Sequence, residues 1–77
     1  MTPAQCRAAR ELLDWTVGDL ARAAGVSVIT VRSFEDGKVT GARLAPRLMQ
    51  RALEGAGVEF TTSESGEGSV RLITRPQ

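Results

Sequence analysis

Between Thr16 and Gly37 the chain runs TVGDLARAAGVSVITVRSFEDG, where cap residues, small residues and glycine fall at helical intervals. Thr16 suits an N-cap, because its hydroxyl can accept from an orphan backbone N–H. Asp19, three residues on, repeats the capping-box spacing and puts a negative charge at the positive end of the helix. The spacing predicts a helix from Thr16 to about Ala24. Gly25 then supplies a sharp turn, since a left-handed backbone costs glycine nothing. Ser27 caps a second helix carrying Val28 to Asp36, and Gly37 ends it. Two short helices meeting at a glycine turn form a helix-turn-helix, with the second helix turned outward.

The apolar spacing agrees. Leu20, Ala21, Ala24 and Val26 line one side of the first helix and the turn. Val31 and Phe34, three apart, face a core. Val28, Ile29, Arg32 and Ser33 are left outside. A generic helical hairpin would bury a similar set, but it would need neither the Gly25-Val26-Ser27 turn nor the small Ala21 and Ala24 that bring two helices close.

With 77 residues, the chain can build one small domain around one modest core. It has no apolar run of membrane-spanning length and no signal-peptide pattern. One cysteine excludes an internal disulfide and fits a reducing cytoplasm. No histidine and no tyrosine are present, so the usual nucleophile–base pairs and zinc sites cannot be assembled. We therefore expect no enzyme activity, no cofactor and no metal. The net charge is +1, divided unevenly: eight cations and six acids up to residue 57, two cations and three acids after it. A nucleic-acid binder gains much of its affinity by neutralising phosphates, so one copy of this chain should bind weakly.

Before the central stretch, Thr2-Pro3-Ala4-Gln5 starts a helix. Thr2 caps, Pro3 takes the first position and Gln5 completes a capping box. This helix should run to about Leu13, with Cys6 a small buried hydrophobe and Trp15 a core anchor. Arg10 shares a face with Cys6 and Leu13, which suits a charge only if it is paired. Glu35, beside the core residue Phe34, is the candidate partner. The alternative is that Arg10 snorkels to solvent. After the Lys38–Arg43 linker a fourth helix starts near Arg43–Ala45, where Pro46 is tolerable, and runs through Leu44, Leu48, Met49, Ala52 and Leu53. Gly55 and Gly57 end it. Val58–Thr62 and Ser69–Ile73 alternate apolar and polar residues around a polar, glycine-rich loop. They read as a β-hairpin that packs Val58, Phe60, Val70 and Leu72 on the helices, on a second copy, or on both. The fold class is therefore mainly α, with residues 1–57 as the helical domain and 58–77 as a hairpin extension.

Taken together, Arg10, Trp15-Thr16, Asp19-Leu20-Ala21-Arg22-Ala23-Ala24-Gly25-Val26-Ser27, Thr30-Val31-Arg32 and Phe34-Glu35-Asp36-Gly37 resemble the Cro/C1-type (XRE) helix-turn-helix regulators. The later Arg51–Phe60 and Gly68–Leu72 stretches are similar to short bacterial members that end in a strand pair. The resemblance covers nearly the whole chain. It implies a compact four-helix, lambda-repressor-like domain that docks as a homodimer on an inverted repeat in double-stranded DNA, in the cytoplasm at the nucleoid. It implies base contacts from Val28, Ile29, Arg32 and Ser33. It also implies phosphate contacts from Thr16, Val17, Ser27, Lys38 and Arg43. Val17 stands where the family often has a glutamine, and Val28 and Ile29 where polar readers are common. Asp36 adds a negative charge near the expected DNA backbone. A second function is compatible with the same residues: an adaptor that docks a transcription or toxin partner through Val17, Val28 and Ile29.

Overall fold

A computed structural model of the chain describes residues 1–38, 44–62 and 68–73. Four helices precede an antiparallel strand pair: α1 (Pro3–Leu12), α2 (Val17–Ala24), α3 (Val28–Glu35), α4 (Ala45–Gly55), β1 (Val58–Thr62) and β2 (Gly68–Leu72). Thr2 and Gln5 close the capping box at the start of α1. The link to α2 passes through Asp14, whose φ of 58° is left-handed, a conformation that aspartate tolerates better than most residues. Gly25 caps α2 at φ 73°. Val26 N–H then bonds back to the Ala21 carbonyl at 3.0 Å, so the turn into α3 is tight.

The core collects one small set of side chains from every layer. Cys6, Ala9, Leu20, Ala21, Val31, Met49, Leu53 and Val58 are buried together, and Trp15, Phe34, Phe60 and Val70 pack against them. Strand β1 thus contributes to the helical core itself. The register pairs Val58 with Leu72 and Phe60 with Val70, which puts these four on one face of the hairpin. Gln5 ties that hairpin to α1: its side-chain amide donates to the carbonyls of Thr61 and Ser69 at 3.4 and 3.5 Å.

Four element boundaries differ from the sequence expectation. α1 stops at Leu12 with Leu13 as its cap, and α3 stops at Glu35 with Asp36 as its cap. β2 begins at Gly68 and ends at Leu72 rather than at Ile73. α4 starts at Ala45, at the late edge of the expected window, because Pro46 fits only the first turn. The core takes one stripe of α4. Ala45, Met49 and Leu53, four residues apart, point inward, while Leu44 and Leu48 lie about 100° round the helix and are exposed. Leu72 was expected on the core face with Val58, but at the open end of the hairpin it too is exposed.

Gly57 joins α4 to β1 with φ at 108°, and a Cβ there would stand 3.1 Å from the Ile73 carbonyl oxygen. The Gly57 carbonyl also accepts from Ile73 N–H at 2.6 Å. Gly57→Ala is accordingly expected to cost about 1–3 kcal/mol by forcing strained backbone. A denaturant melt checks this, and an unchanged midpoint would mean the turn relaxes freely.

Candidate nucleic-acid interface

The starts of α2 and α3 are built alike. At α2, Thr16 Oγ1 accepts from Asp19 N–H at 3.0 Å and Asp19 Oδ2 accepts from Thr16 N–H at 2.9 Å. The N–H and hydroxyl of Thr16 hold the Asp19 carboxyl below the usual range. At α3, Ser27 Oγ accepts from Thr30 N–H at 3.1 Å and shares a hydrogen bond with the Thr30 hydroxyl at 2.8 Å. Both cap hydroxyls are thus engaged within their own helix. What each helix start leaves outward is its first-turn backbone N–H groups, at Val17 and Gly18 and at Val28 and Ile29, where the helix dipole favours an anion.

Beyond these starts lies the outer face of α3. Ile29 is 76% exposed and Val28 38%. Arg32 is exposed and Ser33 half-buried; Lys38, just past the helix, is exposed. Arg32 stands four residues from Val28 and three from Ile29, so the three share a side. Among the described residues no acid pairs with Arg32. Asp36 is exposed four residues further on. Val17 differs from its expected place: its side chain packs against the core and leaves little apolar surface to offer. Arg43, expected to touch phosphate, lies outside the described residues.

The inner face of α3 is fixed by charge as well as by packing. Glu35 accepts from Arg10 Nε at 2.7 Å and from a second Arg10 nitrogen at 2.8 Å, a bidentate pair between α1 and the end of α3. Arg10 also donates to the Trp15 carbonyl at 3.0 Å, and its own carbonyl accepts from Trp15 N–H at 2.9 Å. One side chain therefore joins the end of α1, the entry to α2 and the exit of α3. Arg7 adds a 3.7 Å contact to the carboxylate and a 3.4 Å hydrogen bond to the Glu35 carbonyl. The Cys6 thiol donates to Glu35 Oε2 at 3.4 Å. Burial pushes the Glu35 carboxyl up, but the Arg10 hydrogen bonds and charge outweigh it and the net shift is downward. The Cys6 thiol is pushed up to about 12 by burial and then by Glu35. It is a structural donor, not a nucleophile.

Sequence reasoning found the Arg10–Glu35 pair through the misplaced charge on an apolar face. It missed Arg7, which carried no such signal, and the reach of Gln5 to the hairpin, which the capping box concealed. No protein-family model matches this chain, and no curated protein matches it significantly. Among the described residues, no helix is long and apolar enough to cross a membrane, and no three metal-ligating side chains come together.

Proposed function

We propose that α2, the Gly25 turn and α3 form a DNA-binding helix-turn-helix of the Cro/C1-type (XRE) kind, and that the chain is a sequence-specific transcription regulator. One observation carries this reading. α3 is locked on its inner face by Val31 and the Arg10–Glu35 pair, while its outer face offers Arg32 and Ile29 to solvent. A helix held that firmly, with an exposed cation and first-turn N–H groups beside it, can enter a major groove with a set orientation. In this reading the caps at Thr16 and Ser27 hold backbone N–H groups towards phosphates, Lys38 adds charge, and Arg32 reaches guanine.

The cations support a homodimer. Arg7 and Arg10 are held by Glu35, and Arg71 pairs with Glu59 at 3.1 Å. The acids offset most of the other cations, the net charge is only +1, and two copies double what one offers to phosphates. The outer edges of the β1–β2 pair are a candidate contact between copies. Sedimentation without DNA tests that contact: a chain wholly monomeric at tens of micromolar, on the order of weak-association concentrations, removes it.

Selection of bound sequences from a random duplex pool tests the regulator reading, with an inverted repeat as the expected product. Arg32→Ala should cost about 1–3 kcal/mol and relax preference at one base step. Lys38→Ala should instead weaken binding to all sequences alike and flatten its salt dependence. If Arg32→Ala leaves the preferred sequence unchanged, Arg32 reads no base. The exposed Val28–Ile29 pair favours a second reading, an adaptor docking a protein partner. That patch is smaller than the sequence suggested, because Val17 packs inward. Failure to bind random duplex even at low salt would favour the adaptor.

A further inference from the structure

We infer that the start of α3 reads the C5-methyl group of a pyrimidine beside a guanine, and that 5-methylcytosine satisfies it as well as thymine does. The inference rests on the DNA-binding reading above and deepens it to a class of target. Ile29, 76% exposed, and Val28, 38% exposed, present only alkyl surface. In the major groove thymine shows a C5-methyl and an O4 acceptor, while cytosine shows an N4 donor. A polar side chain tells O4 from N4. An alkyl side chain cannot, so it responds to the methyl group and not to the rest of the base. 5-Methylcytosine carries that methyl on the same ring carbon.

Arg32 supplies the second half of the readout. It lies one turn beyond Val28 and Ile29, exposed, and no acid pairs with it among the described residues. Of the nearby acids, Glu35 is buried and held by Arg10 and Arg7, and Asp36, one turn further along α3, is exposed and forms no ion pair with Arg32. The guanidinium is therefore available to a neighbouring guanine's O6 and N7, the common bidentate contact. Charge complementarity selects DNA over an apolar protein surface as the occupant. Arg32 lies one turn along α3 from the two alkyl side chains, the first-turn N–H groups of α3 lie at their own backbone, and Lys38 stands past the far end of the helix; all of these match phosphates. Cytosine methylation beside guanine would then raise the affinity of an otherwise poor site.

The test uses the full chain and synthetic duplexes of the sequence recovered from the random pool. Each thymine is replaced in turn by deoxyuridine. In a second set the same A·T pair becomes G·C, made with cytosine or 5-methylcytosine. At one or more positions thymine should bind more tightly than uracil, and 5-methylcytosine more tightly than cytosine. Each step should be roughly fourfold, the worth of burying about one methyl group. Ile29→Ala, at an exposed position that folding does not use, should bring both ratios towards one. Ratios of one throughout, with binding intact, would overturn the methyl readout and leave the DNA-binding reading standing. A thymine preference with no 5-methylcytosine preference would overturn the equivalence. Recovery of no sequence at all would remove both readings together.

Discussion

Arg10→Met is expected to lower the unfolding free energy by roughly 3–5 kcal/mol, because it leaves a buried carboxylate without its partner. The Glu35 side chain is 5% exposed and that of Arg10 15%. At this burial the pair differs from a surface ion pair, whose loss costs about 0–1 kcal/mol. For a chain of this size such a change should drop Tm by about 12 °C or more. The lost hydrogen bond from the Arg10 guanidinium to the Trp15 carbonyl, which helps tie α1 to the entry of α2, adds to the effect. The double variant Arg10→Met, Glu35→Leu should recover much of the loss, since neither charge is then stranded. If Arg10→Met melts like the parent, the pair contributes nothing in solution.

The same pair sets a pH signature. The Glu35 carboxyl is held below its ordinary value in the folded chain. A depressed carboxyl adds stability that is complete above the unfolded-state pKa, about 4.3, and is lost as pH falls through the lower folded value. The parent should therefore hold a plateau down to about pH 5 and lose stability below it. Arg10→Met should show a shallower acid limb. Cys6 acts in the opposite sense, since its folded pKa of about 12 lies above the ordinary 9.0. Its contribution is complete below about pH 9 and declines as pH rises towards 12. Urea melts across the pH range read both limbs.

The elements around the Gly25 turn were legible because each local signal there agrees with the packing. Thr16, Asp19, Ser27 and Gly25 do what their chemistry prefers, and Val31 faces the core as its spacing requires. The Arg10–Glu35 pair was legible for the opposite reason: a charge broke an apolar pattern and demanded an explanation. The rotation of α4 was not. Leu44 and Leu48 have the same hydropathy as Leu53, and periodicity alone could not tell which leucines turn inward. Packing against the rest of the core chose the Ala45, Met49 and Leu53 stripe. The inward packing of Val17 was hidden similarly, since a valine in a helix's first turn can face either way. Of the candidate interface, Val28, Ile29, Arg32 and Lys38 are exposed as the sequence led one to expect.

Truncation after Gly57 is expected to unfold the helices and not merely to trim an extension from them. Val58 is 2% exposed and belongs to the same buried cluster as Cys6, Leu20 and Leu53. Burying one such side chain stabilises by about 1.5–3 kcal/mol. Phe60 and Val70, both half-buried against that cluster, should together add a similar amount. Without the hairpin, Gln5 also loses the carbonyls of Thr61 and Ser69, and the α1 surface under β2 opens to water. Against these losses a 77-residue domain holds roughly 4–12 kcal/mol in all. The truncated chain should therefore lose most of its cooperative melt and its near-ultraviolet circular dichroism, and it should fail to bind DNA for that reason alone. A cooperative melt near the parent Tm would show instead that β1 and β2 are an appendage. Because truncation disturbs the fold, it cannot by itself report on a contact between copies. A charge at Ile73, 43% exposed and just past the end of β2, is the cleaner probe. Ile73→Lys should leave the melt within about 0.5 kcal/mol of the parent, as surface substitutions usually do, while weakening any pairing of hairpins between two copies.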